Sequence, residues 1–185
     1  YSTDMAINNL VYQASLPTQV HARGEYWATV AWEATWAIIQ QAGTINPDIY
    51  FNGTSTAGNA VAMRIAIQAM KLAPCSSGFI DHRDGWLRAD TLLYGGTYSC
   101  AIWRAFAKRG MGFFASQGSP NSASDQVPDF TPKSYVTIAA SAPTIPDGQN
   151  LTYTNTVTTC SGAAIAGYSL QSTLPLNVTF VSATN

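Results

Sequence analysis

Apolar residues recur every three or four positions between residues 22 and 110, and every two positions beyond residue 133. The first rhythm predicts four helices. Ala22 to Gln41 aligns Trp27, Val30, Ala31, Ala34 and Ile38, with Gly43 as its stop signal. Thr44 to Gly58, with Pro47, Gly53 and many polar residues, reads as a loop. Asn59 to Leu72 aligns Ala62, Ile65, Ala66, Ala69 and Met70 ahead of Pro74, and Gly78 to Leu93 aligns Phe79, Trp86 and Leu93 ahead of Gly95-Gly96. Tyr98 to Arg109 turns Ile102, Trp103, Phe106 and Ala107 inward. Its Lys108-Arg109-Gly110 ending sets cations in the last turn and a glycine just past it, both favourable at a helix C-terminus. All five tryptophans lie at packing positions and are assigned to the core.

The second rhythm predicts short strands around Val136 and Ile138, from Leu151 to Thr159, at Tyr168 to Leu170 and at Val178 to Val181. Pro146-Asp147-Gly148 reads as a hairpin-type turn. Between the two patterns, Gln117 to Lys133 is rich in Pro, Ser and Asp and reads as a linker. The expected fold class is therefore α plus all-β in two modules: a helical module over 1–116, a linker over 117–133, and a β module over 134–185. Four short strands fall well below the seven of an immunoglobulin-like sandwich, so the β module is expected to be incomplete. Its unpaired edges would invite a strand from a neighbouring chain.

Composition narrows the function classes. Of 185 residues, 46% are hydrophobic, enough for a packed core, and only 10% are charged, against about 25% in ordinary soluble domains. A net charge of −1 offers no field for nucleic acid or anionic lipid, and no apolar run is long enough to span a bilayer. Three cysteines point to one bridge and one leftover thiol in an exported protein. Sequons at Asn52, Asn150 and Asn177 permit glycosylation where the host glycosylates asparagine, while sparse charge, abundant Ser and Thr and few lysines favour an extracellular setting. The sequence opens mid-motif at Tyr1-Ser2-Thr3-Asp4-Met5, from which either a removed leader or, as the favoured alternative, a larger upstream piece is expected.

Three blocks carry a family resemblance. They are Tyr1-Ser2-Thr3-Asp4-Met5; Val20-His21-Ala22-x-Gly24-x-x-Trp27-Ala28-Thr29; and Met70-Lys71-Leu72-x-Pro74-Cys75 with Phe79, Arg83-Asp84, Ala89-Asp90 and Cys100-x-x-Trp103-x-Ala105-Phe106-Ala107-x-Arg109-Gly110. Together they resemble, over roughly residues 1–115, the C-terminal helical lobe of fungalysin-type, thermolysin-like secreted zinc metallopeptidases. The resemblance implies a zinc cofactor in the complete enzyme and a protein or peptide substrate. It also implies an N-terminal catalytic segment, and a His21 that donates a hydrogen bond to the oxyanion of the tetrahedral intermediate. Removing a donor of that kind costs about 3 kcal/mol of barrier. The plainer alternative is a histidine that caps or packs at the helix start.

The same resemblance pairs Cys75 with Cys100 across the third helix. It places Arg83 and Asp90 in that helix, where an ion pair or a cap explains them better than catalysis. Arg23 departs from it, because the family carries an apolar residue there. The zinc motif H-E-x-x-H is absent, C-x-x-C spacing is absent, and His21 and His82 lie far apart in sequence; no zinc ligands are expected in this chain. His82, between Asp81 and Arg83, reads as a solvated surface residue.

Over residues 134–185, Leu151-Thr152-Tyr153-Thr154-x-Thr156-Val157 and the run from Thr173 to Thr184 resemble conserved-repeat Ig-like domains of bacterial surface and secreted proteins. Two functions follow. One is the C-terminal part of a secreted zinc metalloendopeptidase, incomplete without its zinc-binding segment. The other is an extracellular fibre or surface-assembly subunit whose Ig-like module is completed by a neighbour's strand.

Overall fold

The structure is a computed structural model that describes residues 1–163, 169, 171, 173–174, 176 and 178–184. Its body is four helices, α1 Val20–Ala42, α2 Gly58–Leu72, α3 Phe79–Tyr94 and α4 Ser99–Lys108. An antiparallel pair follows, β1 Ser134–Ala140 and β2 Tyr153–Thr159. α1 packs against α2 and α4, and α3 packs chiefly on α2.

The predicted stripes form the core. Val30, Ala34 and Ile38 of α1 meet Ala62, Ile65 and Ala69 of α2 and Ile102 and Phe106 of α4, all buried. Two tryptophans, Trp86 and Trp103, are buried as expected. Trp32 is not: it is 40% exposed and stacks edge-on against the half-buried Trp36. Met70 and Leu93 are likewise exposed, because each falls on the solvent flank of a narrow helical stripe. At Gly58, a side chain would collide with the backbone of α1 at Ile39, so the close crossing of α1 and α2 requires glycine.

The helix ends use the predicted signals and some that were not predicted. Gly43 and Gly95 adopt left-handed conformations, φ 71° and 63°, and close α1 and α3. The Gln19 side chain accepts from Ala22 N at 2.8 Å at the start of α1. Asp90 is fully buried and accepts from Tyr98 N at 3.1 Å and Ser99 Oγ at 2.8 Å, capping α4. Arg83 ion-pairs with Asp84 at 2.8 Å and covers the Trp103 ring. Both residues thus take the structural roles expected of them.

Arg109 does not serve the α4 dipole. It turns inward, fully buried, and each of its five N–H groups finds an acceptor. Nε and Nη2 donate to Glu33 Oε2 at 2.9 and 2.7 Å. Nη1 donates to Asn8 O and Leu10 O, at 2.7 and 3.1 Å, and Nη2 also to Ser2 O at 2.9 Å. Lys108 Nζ completes the cluster, 2.7 Å from both Glu33 Oε1 and Thr3 O. The extended opening segment is pinned to the helices by this cluster.

The expected linker is also fastened to the body. Leu16 N donates to Ala123 O at 2.7 Å, Gly112 N to Asp129 O at 2.6 Å, and Ser116 and Val127 exchange two bonds of 2.9 Å. Spare donors and acceptors on Ser, Asp and Gln in this stretch make such docking feasible, and composition alone reads the same residues as loose chain.

β1 and β2 pair in register from Ser134↔Thr159 to Ala140↔Tyr153, and Gly148, at φ 76°, stands in the predicted turn. Val136, Ile138, Tyr153 and Val157 share one face, while the opposite face carries Thr137, Thr154, Thr156 and Thr158. Among the described residues the sheet has two strands. The expected strand at Val178–Val181 is not formed, and the one at Tyr168–Leu170 lies largely outside the described residues.

The disulfide joins Cys100 to Cys160, with Cα atoms 4.7 Å apart, and Cys75 is an exposed free thiol. This corrects the expected Cys75–Cys100 bridge. The physical reason is α3. It sets Cys75 before its start and Cys100 past its end, in the first turn of α4, and there Cys160 at the foot of the β hairpin meets Cys100 at bonding distance.

Candidate functional site

A cleft of about 300 Å³ opens between the first turns of α1, the start of α3 and the loop from Gln117 to Gln126. Trp27 and Phe79 wall it, their rings 6.3 Å apart, with buried Tyr12 and Leu16 beneath. The loop is held by the start of α3. Gln117 Oε1 accepts from Ile80 N at 2.9 Å and Asp81 N at 3.1 Å, satisfying two donors that a helix start leaves unpaired. Gln117 Nε2 donates to Asp81 Oδ2 at 2.6 Å. That bond, together with Gly78 N, draws the Asp81 carboxyl below its usual range.

Contrary to the solvated surface position expected of it, His82 is half-buried in this cleft. Its ring lies 5.0 Å from Trp27 and its Nε2 lies 3.1 Å from Ser77 Oγ. Burial pushes its pKa below 6.5, and Asp81 offsets this only in part. The Tyr12 phenol is pushed upward, first by burial and then by the Asp125 charge, and donates to Ser116 O at 3.1 Å. Arg23 reaches the cleft with Nε 2.6 Å from Pro17 O.

His21 stands apart from this cleft. It is exposed in the first turn of α1, with Nδ1 2.6 Å from Gln19 Nε2. One turn further, Glu25 borders a second, more open depression formed with Tyr1, Ile7 and Leu10 and with the polar Ser2, Asn8 and Asn9. Tyr1, Ile7 and Val20 are each at least 70% exposed. Among the described residues, no three of His, Cys, Asp and Glu gather in a metal-binding group. Those described residues therefore offer no ligand set that fits a zinc ion. Asn52 and Asn150 are exposed in irregular loop segments, and Asn177 falls outside the described residues.

The Fungalysin metallopeptidase (M36) family model matches residues 1–115, more than half of the sequence. The chain belongs to this family. Among its relatives, extracellular metalloproteinase MEP of Neosartorya fischeri is 42% identical over 125 residues, covering 65% of this chain and 20% of that protein. Extracellular metalloproteinase 10 of Coccidioides posadasii is 39% identical over 133 residues, covering 70% and 21%. Extracellular metalloproteinase 1 of Arthroderma otae is 39% identical over 132 residues, covering 69% and 21%. The chain thus spans about a fifth of the length of these curated relatives. No helix among the described residues is long and apolar enough to cross a membrane.

The fungalysin match ends where the helical body ends, just before the segment that docks back onto it. The cleft escaped sequence reading because its walls come from four separated stretches of chain. Gly78, His82 and Gln117 share no motif.

Proposed function

We propose that this fungalysin chain is the helical lobe of a secreted zinc metalloendopeptidase acting on extracellular protein, whose metal ligands lie on polypeptide outside these 185 residues. The observation that carries this reading is the placement of His21. Within the segment matched to the family, it stands solvent-facing at a helix start, one turn from Glu25 at the edge of an open depression of mixed polar and apolar lining. A packing histidine would be buried. A donor meant for an oxyanion must face the surface where the metal-bearing part docks, and Tyr1, Ile7 and Val20 supply apolar area for that docking.

In this reading zinc, when bound by the other segment, supplies the electrophile. His21 donates a hydrogen bond to charge that develops in the transition state, and Gln19 fixes the imidazole's tilt through Nδ1. Co-expression with an upstream segment bearing H-E-x-x-H should restore hydrolysis of a protein substrate. His21→Ala in that complex should lower kcat by about 10² to 10³, with circular dichroism unchanged. An unaltered kcat would remove His21 from the mechanism.

Residues 134–185 support a second, narrower reading as the opening of an Ig-like sandwich. The face carrying Val136, Ile138 and Tyr153 is 49 to 65% exposed, the state of a sheet whose partner sheet is supplied elsewhere. A neighbour's strand could provide that cover in a fibre or surface assembly, and the exposed sequons at Asn52 and Asn150 suit such a setting. Size-exclusion chromatography with electron microscopy tests it: a strict monomer at all concentrations excludes strand exchange.

A further inference from the structure

The cleft between α1 and α3 contains a buried acceptor with nothing to accept. Gln126 is 5% exposed, and its Oε1 has no hydrogen-bond partner among the described residues. Flipping the amide does not cure this. Nε2 already faces three acceptors, Ser122 O at 2.9 Å, Asp125 Oδ1 at 3.2 Å and Gln117 O at 3.4 Å, and an oxygen turned toward them would be repelled. An unpaired buried polar atom costs about 1–3 kcal/mol, so this position favours a ligand that brings a donor.

The rest of the lining defines that ligand. Among the described residues, Arg23 uses only Nε, on Pro17 O, and both of its Nη groups make no bond within the chain. A planar guanidinium whose end-on edge, formed by the two Nη groups, is spare suits a carboxylate. Trp27, Phe79 and Leu16 offer apolar wall. The volume, at the small end of the roughly 300–1,000 Å³ typical of ligand pockets, admits about one residue and not a folded partner.

We propose that this cleft binds the C-terminal residue of a peptide with an apolar side chain. Its amide N–H donates to Gln126 Oε1, its carboxylate accepts from the Nη groups of Arg23, and its side chain rests on Trp27 and Phe79. Neither His21 nor a metal takes part, so this site stands even if the peptidase reading fails.

The test is an NMR titration of the 185-residue chain, following the Trp27 indole and His82 ring signals. N-acetyl-leucine is the ligand. N-acetyl-leucinamide lacks the carboxylate, and 4-methylpentanoate lacks the N–H. N-acetyl-leucine should saturate with a Kd in the millimolar range or below, and each analogue should bind about tenfold more weakly, the weight of one lost charge-assisted or buried hydrogen bond. Arg23→Gln should weaken N-acetyl-leucine about tenfold and leave N-acetyl-leucinamide unchanged. Gln126→Met should weaken both acetylated ligands and spare 4-methylpentanoate; if it unfolds the loop, the surface residue Arg23 still decides the matter. Equal affinity for all three ligands, or no saturation up to about 20 mM, would overturn the proposal.

Discussion

In the helical body four charged side chains, Glu33, Arg83, Asp90 and Arg109, are buried, and each is matched to named partners. In the hairpin the relation is reversed: the apolar face of β1 and β2 is turned to solvent, and Asp147 is the one charged residue beyond Lys133. The body is held in one arrangement by polar groups that have no alternative partners inside it. The hairpin has few such directional contacts. Its base is fixed by the Cys100–Cys160 bond, by Cys160 N donating to Lys133 O at 3.0 Å, and by Lys133 Nζ lying over the Phe113 and Tyr135 rings. One region is specified by noncovalent geometry, and the other is attached covalently to a region so specified.

Breaking the buried pair tests the first half of that contrast and should give the largest effect. Glu33→Gln leaves a buried guanidinium without its counter-charge, and Arg109→Met also frees the carbonyls of Ser2, Asn8 and Leu10. Each should cost about 3–5 kcal/mol in urea unfolding followed by tryptophan fluorescence. The double variant Glu33→Leu/Arg109→Met should recover part of the loss and not all of it, because those three carbonyls remain unpaired. A single-variant loss below about 1 kcal/mol would mean the opening segment is held by something else.

Removing the disulfide tests the second half. Its closed loop spans 60 residues, for which chain entropy predicts at most about 4 kcal/mol and practice usually less. Cys160→Ser should therefore act locally. Hydrogen exchange at β1 and β2 amides should accelerate strongly, while α1 and α2 amides keep their protection. Equal loss of protection in both regions would show that the hairpin supports the body and is not merely attached to it.

How much of this was legible follows the same division. Helix positions were readable to within two residues because Gly43, Pro74 and Gly95-Gly96 mark the ends and the apolar stripes mark the faces. Arg109 was read as a dipole partner, since sequence shows its place in the last turn and not the Glu33 carboxylate 76 positions away. The cysteine pairing failed for a similar reason. The fungalysin resemblance brackets α3 with Cys75 and Cys100, but the partner of Cys100 is Cys160, beyond the matched residues. His21 was marked by a motif. His82, in the cleft, was not, because the Trp27 ring and Ser77 hydroxyl that surround it converge only in space.

The smallest predicted effect concerns His82 and separates the two regions by pH. Burial against Trp27 disfavours its imidazolium, so its folded pKa lies below 6.5, with Asp81 opposing the shift. The unfolded chain therefore takes up this proton at a higher pH than the folded chain does. Above 6.5 the neutral ring contributes its full share of stability, and that share is lost as pH falls from 6.5 through the folded pKa. Asp81 is shifted downward from 3.8, so its own contribution is lost only at lower pH, and the two windows do not coincide. Beyond Lys133 no histidine or glutamate is present, so hairpin opening should not change across the His82 window. Urea midpoints of the body measured across this range should fall further in the parent chain than in His82→Gln, a difference that cancels the Asp90 carboxyl, whose pKa burial raises in both. Hydrogen exchange at β1 and β2, corrected for intrinsic rates, should be pH-independent in both. A parent chain whose midpoint falls no further than that of His82→Gln would place His82 in solvent, where its sequence neighbours alone would have put it.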